Sequence, residues 1–292
     1  MPIHDLRNLI EDWRISVANA ISAPDNTDEL SLYALHLARL LAYPNLRVQN
    51  AIETIDAMGN ELKSSLKKRM PLRPTQMIEE INNYLFRIVG FRGNEQDYFN
   101  PLNNFLNVVM ERKLGIPITM SILYMRTAYT LNFKLYPVSF PAHFLVKYIL
   151  EDDTSEIIID PYNEGRIMDD YALKQLLEQF YPNQNIALTK DLVRKATTTQ
   201  VLVRLLNNLK SSYYESQDLH STEIANEMIL AIDKYNPSAV RDKGLLLIKN
   251  QRPEEALEML NLYLELDPEA EDVDMVLDTI HKTRSGINNR RI

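Results

Sequence analysis

Residues 100–150 read NPLNNFLNVVMERKLGIPITMSILYMRTAYTLNFKLYPVSFPAHFLVKYIL, and residues 156–165 read EIIIDPYNEG. Asn103 to Lys113 has the spacing of a helix, with Phe105, Leu106, Val109 and Met110 on its apolar side. Gly115 suits the left-handed position just past a helix end, and Pro117 suits the first turn of the next helix, where its missing N–H is no loss. That second helix is expected to run to about Asn132. β-rich runs follow at Leu135–Phe140, His143–Ile149 and Glu156–Asp160, with the acidic turn Glu151, Asp152, Asp153, Thr154, Ser155 between the last two. The run Ile157, Ile158, Ile159 is apolar on both faces, as in a covered strand. The stretch thus predicts a small antiparallel sheet packed on the helix after Pro117, with His143 and Asp160 at strand positions.

Outward toward the N-terminus the pattern is helical. Leu6, Leu9, Ile10, Trp13 and Val17 mark a helix over 4–21, Leu30 to Leu41 a second, and Leu46 to Arg69 a third that Gly59 should weaken. A fourth is expected to start at a Thr75 cap and to carry Ile78, Ile81, Leu85 and Ile88. On the C-terminal side, helices are expected at about 169–180 and 190–214. Beyond them STEIANEMILAIDKYNP (221–237) aligns with RPEEALEMLNLYLELDP (252–268) at an offset of 31, pairing Ala225 with Ala256, Met228 with Met259 and Pro237 with Pro268. Gly244, Ala256 and Pro268 fall 12 residues apart. Small residues at that spacing let the helices of a hairpin approach closely, as in tetratricopeptide repeats, whose usual period is about 34. The reading gives three parts: a helical N-terminal lobe (1–92), a mixed core (93–190) and a helical region with repeats (191–292).

Composition narrows the function classes. With 32 Lys and Arg against 40 Asp and Glu the net charge is −8, which argues against a general nucleic-acid binder. The chain contains no cysteine, so disulfides and thiolate metal sites are excluded. Its five histidines show no pair at metal-ligand spacing. No signal-peptide pattern and no apolar run of membrane-spanning length is present, so a cytoplasmic protein without a membrane partner is expected.

The motifs GIPITMSILY (115–124), FPAHFLVK (140–147) and IDPYNEG (159–165), in this order and with the repeats behind them, closely resemble the bacterial SirB-type branch of the transglutaminase-like superfamily. The resemblance implies an α+β, predominantly helical protein: a helical N-terminal lobe, a transglutaminase-like (papain-like) core with a small antiparallel sheet, and C-terminal tetratricopeptide-like hairpins. Catalytic members of that superfamily use a Cys, a His and an Asp. The carry-over puts the last two on His143 and Asp160 and the Cys at or near Pro117, which has no nucleophilic atom. Thr119 is then the nearest hydroxyl for a His–Asp pair to activate, although a first-turn threonine usually bonds backbone. Implied binding positions are Pro117 and Ile118 at the helix start with Asn104 and Asn163 flanking the cleft; the asparagines also suit plain capping. The free amides of 118–120 with His143 would suit a carboxylate or a peptide carbonyl, unless Ile116, Ile118 and Phe144 close over them. No metal and no cofactor is implied. The favoured expectation is a non-catalytic interaction or regulatory protein that holds a protein or peptide through the repeats or the vestigial cleft. The alternative is a cryptic hydrolase or acyl transferase using His143 and Asp160 with Thr119 or an activated water.

Overall fold

The computed structural model describes residues 3–150 and 155–290. They cluster into two compact units, Ile15–Leu205 on one hand and Met1–Arg14 with Leu206–Ile292 on the other. The acidic turn at Glu151, Asp152 and Asp153 lies outside the described residues. The architecture is the expected one: predominantly helical, with a small antiparallel sheet.

In the unit Ile15–Leu205, β1 (Arg92–Gly93) and β2 (Leu114–Gly115) form a short parallel pair. β3 (Tyr136–Val138), β4 (Leu145–Ile149), β5 (Glu156–Asp160) and β6 (Arg166–Met168) form an antiparallel sheet in that spatial order, with Val146 opposite Ile159 and Asp160 opposite Arg166. Successive strand residues point to opposite faces, and both faces are covered. Val138, Leu145 and Ile158 pack with Ala172, Leu173 and Leu177 of the helix Asp170–Phe180, while the helix Pro117–Thr130 lies against β4. Ile158 and Ile159 are accordingly both buried, as their apolar run requires.

The helix Pro117–Thr130 is the centre of this unit. Every residue from Pro117 to Met125 is buried, so it has no polar face to give to water. The helix Val48–Leu66 crosses it through Gly59. A Cβ on Gly59 would stand 1.9 Å from Thr130 Oγ1 and 3.1 Å from the Thr127 carbonyl oxygen, so only glycine allows this approach. Gly59 therefore does not weaken the helix, as its propensity alone suggests; it is where two helices meet. Beside it Arg126 Nε and Nη2 donate to Asp56 Oδ1 and Oδ2, both at 2.6 Å.

Several boundaries differ from those read in the sequence. The left-handed residue after the helix Leu106–Arg112 is Lys113 (φ 59°), while Gly115 sits in β2, where a Cβ would meet Thr119 Oγ1 at 2.9 Å. Residues 101–104 form a 3-10 turn rather than helix. Thr75 is not a cap: Pro74 begins the helix Pro74–Asn82, and Gln76 Oε1 accepts from the Arg73 N–H. The chain then winds as a π-helix over Asn83–Ile88. Residues 190–197 hold only a 3-10 turn and the helix starts at Thr198, because Ala196 N–H donates to Pro137 O and Thr198 N–H to Pro24 O.

In the second unit the helices Leu219–Ile232, Pro237–Lys249, Pro253–Leu266 and Val273–Arg290 pack in succession. Gly244 has the close-approach role its spacing predicts, since a Cβ there would come within 2.7 Å of Leu260. Pro237 opens the next helix rather than merely closing the last, with the Asn236 side chain capping Ala239 N–H. Tyr263 is buried, and its hydroxyl donates to Asp272. Trp13 is also fully buried here and donates from Nε1 to Met228 O at 3.1 Å.

His36, on the helix Leu30–Leu41, carries a pH dependence. Burial first, and the nearby Arg39 second, hold its pKa below the ordinary histidine value, and its buried Nδ1 has no hydrogen-bond partner among the described residues. The folded state therefore favours the neutral ring, while the unfolded chain takes up a proton near its ordinary pKa of about 6.5. His36 contributes its full stability above that pH and loses it as the pH falls toward and through the depressed folded value. His36→Gln should show a smaller loss of stability than the native chain between about pH 7 and 5. Urea midpoints measured across that range check this; parallel curves for the two proteins would refute it.

Candidate functional site

The site begins at the buried start of the helix Pro117–Thr130. Ile116 is its N-cap and Pro117 its first residue. With no polar side chain at the cap, the Thr119 hydroxyl serves instead. Its Oγ1 accepts from the Ile116 N–H at 3.1 Å and lies within donating distance of Asn103 O (2.9 Å) and Ile116 O (3.2 Å). A hydroxyl has one proton, and here backbone oxygens take it. Ile116, Ile118 and Phe144 are each at most 2% exposed. The open anion-binding face expected at the amides of 118–120 is therefore closed, because these apolar side chains gain more from burial than the helix end gains from water.

Asn103 fastens this helix start to the loop before it. Its Nδ2 donates to Asp97 O and Tyr98 O at 2.7 and 3.1 Å, and its Oδ1 accepts from Asn94 Nδ2 at 2.9 Å. Asn104 beside it is fully buried.

His143 and Asp160 come together, as the resemblance implies. His143 Nε2 lies 2.9 Å from Asp160 Oδ2, with both side chains buried. Asp160 is the last residue of β5, but His143 stands two residues ahead of β4, in the bend after left-handed Ala142. The DPYN motif explains the rigidity of the pair. Pro161 starts a 3-10 turn, and Asp160 caps it, its Oδ1 accepting from the N–H groups of Tyr162 (3.1 Å) and Asn163 (3.3 Å). Asn163 Nδ2 donates to Asp160 Oδ2 at 2.7 Å. The carboxylate thus accepts four hydrogen bonds and cannot swing away. A carboxylate at Nε2 keeps the ring proton there and leaves the lone pair on Nδ1, the tautomer a general base needs.

Aromatic rings enclose the imidazole. Tyr162 meets it edge to face at 5.9 Å between centroids, and Phe180 stacks on it at 6.2 Å. Tyr162 in turn contacts Tyr98, and Tyr98 contacts Phe99. Gly93 makes room for Tyr162, since a Cβ there would lie 2.5 Å from its ring. Burial, helped by Glu95, pushes the Tyr162 phenol up to about 12, so it is neutral and can donate. Arg204 donates from Nη1 to Phe140 O (2.7 Å) and Ser139 Oγ (2.9 Å), fastening the loop that presents His143. A cleft of about 600 Å³ is lined by Arg92, Asn94, Glu95, Gln96, Tyr162 and Asn163. Among the described residues no group of three or more His, Cys, Asp or Glu could hold a metal ion. No helix among them is long and apolar enough to cross a membrane.

The structure thus brings His143, Asp160 and Asn163 into direct contact and engages Thr119 with backbone. Sequence reasoning missed Tyr98, Phe180 and Arg204. Arg204 stands among Val201, Leu202, Leu205 and Leu206 in a helical pattern and gives no signal of its own.

A helix buried at its N-terminus, a small antiparallel sheet and a His–Asp pair between the end of β5 and the bend before β4, followed by helical hairpins, define a transglutaminase-like core with tetratricopeptide repeats. Sequence comparison agrees: the transglutaminase-like superfamily matches residues 49–207 and the tetratricopeptide repeat residues 209–281. The chain belongs to the transglutaminase-like superfamily. A UPF0162 protein of Xylella fastidiosa is 33% identical over 263 residues, 88% of this chain and 91% of that protein. Protein SirB1 of Salmonella typhimurium is 24% identical over 237 residues, 81% of this chain and 85% of its own. The F-box only protein 21 of Mus musculus is 34% identical over 143 residues, 47% of this chain and 22% of its own. No solved structure matches.

Proposed function

We propose that this chain is a non-catalytic interaction or regulatory protein, in which the aromatic-walled surface beside His143 and Asp160 holds a peptide segment and the repeats offer a second protein-binding surface. One observation carries the reading. The Thr119 hydroxyl, the nearest to the helix start, is committed to backbone groups, and Pro117 beside it has nothing to attack with. A nucleophile needs a base within hydrogen-bond reach and a proton free to move. Tetratricopeptide repeats generally mediate protein–protein contacts, which supports the second surface. The bond between His143 and Asp160 favours one rival, a hydrolase or acyl transferase in which the pair activates water or Thr119.

The full chain tests this. A fluorophosphonate probe should label no residue, and p-nitrophenyl esters and peptide anilides should turn over no faster than with folded His143→Ala protein. Labelling of Thr119, or turnover that disappears in His143→Ala, would establish the rival instead.

A further inference from the structure

Two of the inward-drawn arginines among the described residues are held by carboxylates. Arg126 has Asp56, and Arg241 has Asp242 and Asp272. Arg204, less exposed to solvent than most arginines, has no carboxylate within ion-pair distance among the described residues. Leaving a guanidinium uncompensated there is unfavourable, and burial holds its pKa below the ordinary arginine value.

Its geometry says what would compensate it. A guanidinium has five N–H groups in a planar fork. The two on Nη1 are turned to Phe140 O and Ser139 Oγ, and the side chain lies over the Phe144 ring at 5.7 Å. Nε and Nη2 donate to no protein acceptor among the described residues. That edge presents two parallel N–H bonds, the arrangement that takes a carboxylate side-on.

Arg204 also belongs to the surface around His143. It holds the loop that carries the histidine, and Tyr98 leads through Tyr162 to the imidazole by successive ring contacts. The rim is apolar and open: Phe99, Phe180 and Tyr98 are 57%, 41% and 36% exposed. A cation with a free edge inside such a rim fits a carboxylate carried next to an apolar side chain.

We propose that Arg204 is a carboxylate-binding subsite of the surface beside His143, and that the peptide held there presents a carboxylate to it. This rests on the peptide-holding role proposed above and names the chemistry that role selects. The carboxylate comes either from a chain terminus or from an acidic side chain.

Calorimetric titration of the full chain with three peptides decides. They are acetyl-Gly-Leu-Phe with a free C-terminal carboxylate, its C-terminal amide, and the amide of acetyl-Gly-Glu-Phe. At least one of the two carboxylates should bind about tenfold or more tightly than the neutral amide, and which of them does so identifies the source. Arg204→Gln should abolish the preference. Arg204→Lys, which keeps charge without the fork, should retain part of it. His143 ring signals in NMR should move with all three peptides in the native chain. Equal affinity for all three, or a preference that survives Arg204→Gln, overturns the subsite while leaving the peptide-holding surface intact. No binding of any peptide overturns both. The comparison of peptides on the native chain needs no variant, so an unfolded Arg204→Gln would not shield the proposal.

Discussion

Replacing Asp160 with alanine should destabilise the fold by about 3–5 kcal/mol, the usual range for removing one member of a buried, hydrogen-bonded pair. Four donors lose their acceptor at once: His143 Nε2, the N–H groups of Tyr162 and Asn163, and Asn163 Nδ2. Asp160 is 1% exposed, so water cannot reach its place without rearrangement. Each buried donor left unmet costs about 1–3 kcal/mol, and the losses overlap because all four groups sit on one turn. Asp160→Asn separates the contributions. Its Oδ1 still caps the two backbone amides, whereas its amide nitrogen meets two donors and forces His143 to change tautomer. Asn should therefore fall between Asp and Ala. Urea denaturation with the native slope gives the three values directly. A loss below about 1 kcal/mol in the alanine protein would mean that the pair does not hold the turn.

The parts of this site legible in the sequence are those whose chemistry is local. Pro117 reads as a helix start because it lacks an N–H, and it is one. Glu156 to Asp160 reads as a strand from its own β-rich run, and it is one. Gly244, Ala256 and Pro268 read as repeat packing because each position answers a nearest-neighbour helix. What escaped depends on partners far along the chain. β6 pairs with β5 through a turn that carries two left-handed residues, Glu164 and Gly165. β1 and β2 are two residues long, and only each other's backbone makes them strands. The chain before Thr198 forgoes its helix because Pro137 and Pro24 offer it carbonyl oxygens. Gly59 looked like a weak point because helix propensity counts only the helix itself, whereas its neighbour Thr130 lies 71 positions on. Arg204 is the clearest case: what distinguishes it is which acceptors surround it, and those come from residues 139–144.

Gly165→Ala should also be strongly destabilising, and a matched glycine isolates the reason. Gly165 has φ 72° and Gly90 has φ 88°, so alanine at either meets the left-handed strain of about 1–2 kcal/mol. Both substitutions also stiffen the unfolded chain to a similar extent, which cancels in the comparison. The surroundings differ. Nothing lies within 4 Å of a Cβ on Gly90, whereas a Cβ on Gly165 would fall 1.8 Å from Asn82 Oδ1 and 2.3 Å from its Cγ. Asn82 has little freedom to retreat: its Nδ2 donates to Gly165 O at 2.9 Å, and its Oδ1 accepts from the buried Tyr124 hydroxyl at 2.8 Å. Moving it breaks both bonds and frees a phenol on the central helix. Overpacking of this kind costs about 1–3 kcal/mol beyond the backbone strain, so Gly165→Ala should exceed Gly90→Ala by that amount. Because Gly165 closes the turn that Asp160 caps, through its N–H to Asp160 O at 2.9 Å, the same variant should broaden the His143 ring signals, and Gly90→Ala should leave them sharp. Equal losses of stability in the two alanine proteins would show that Asn82 yields without resistance, and that the glycine of this motif serves backbone conformation alone.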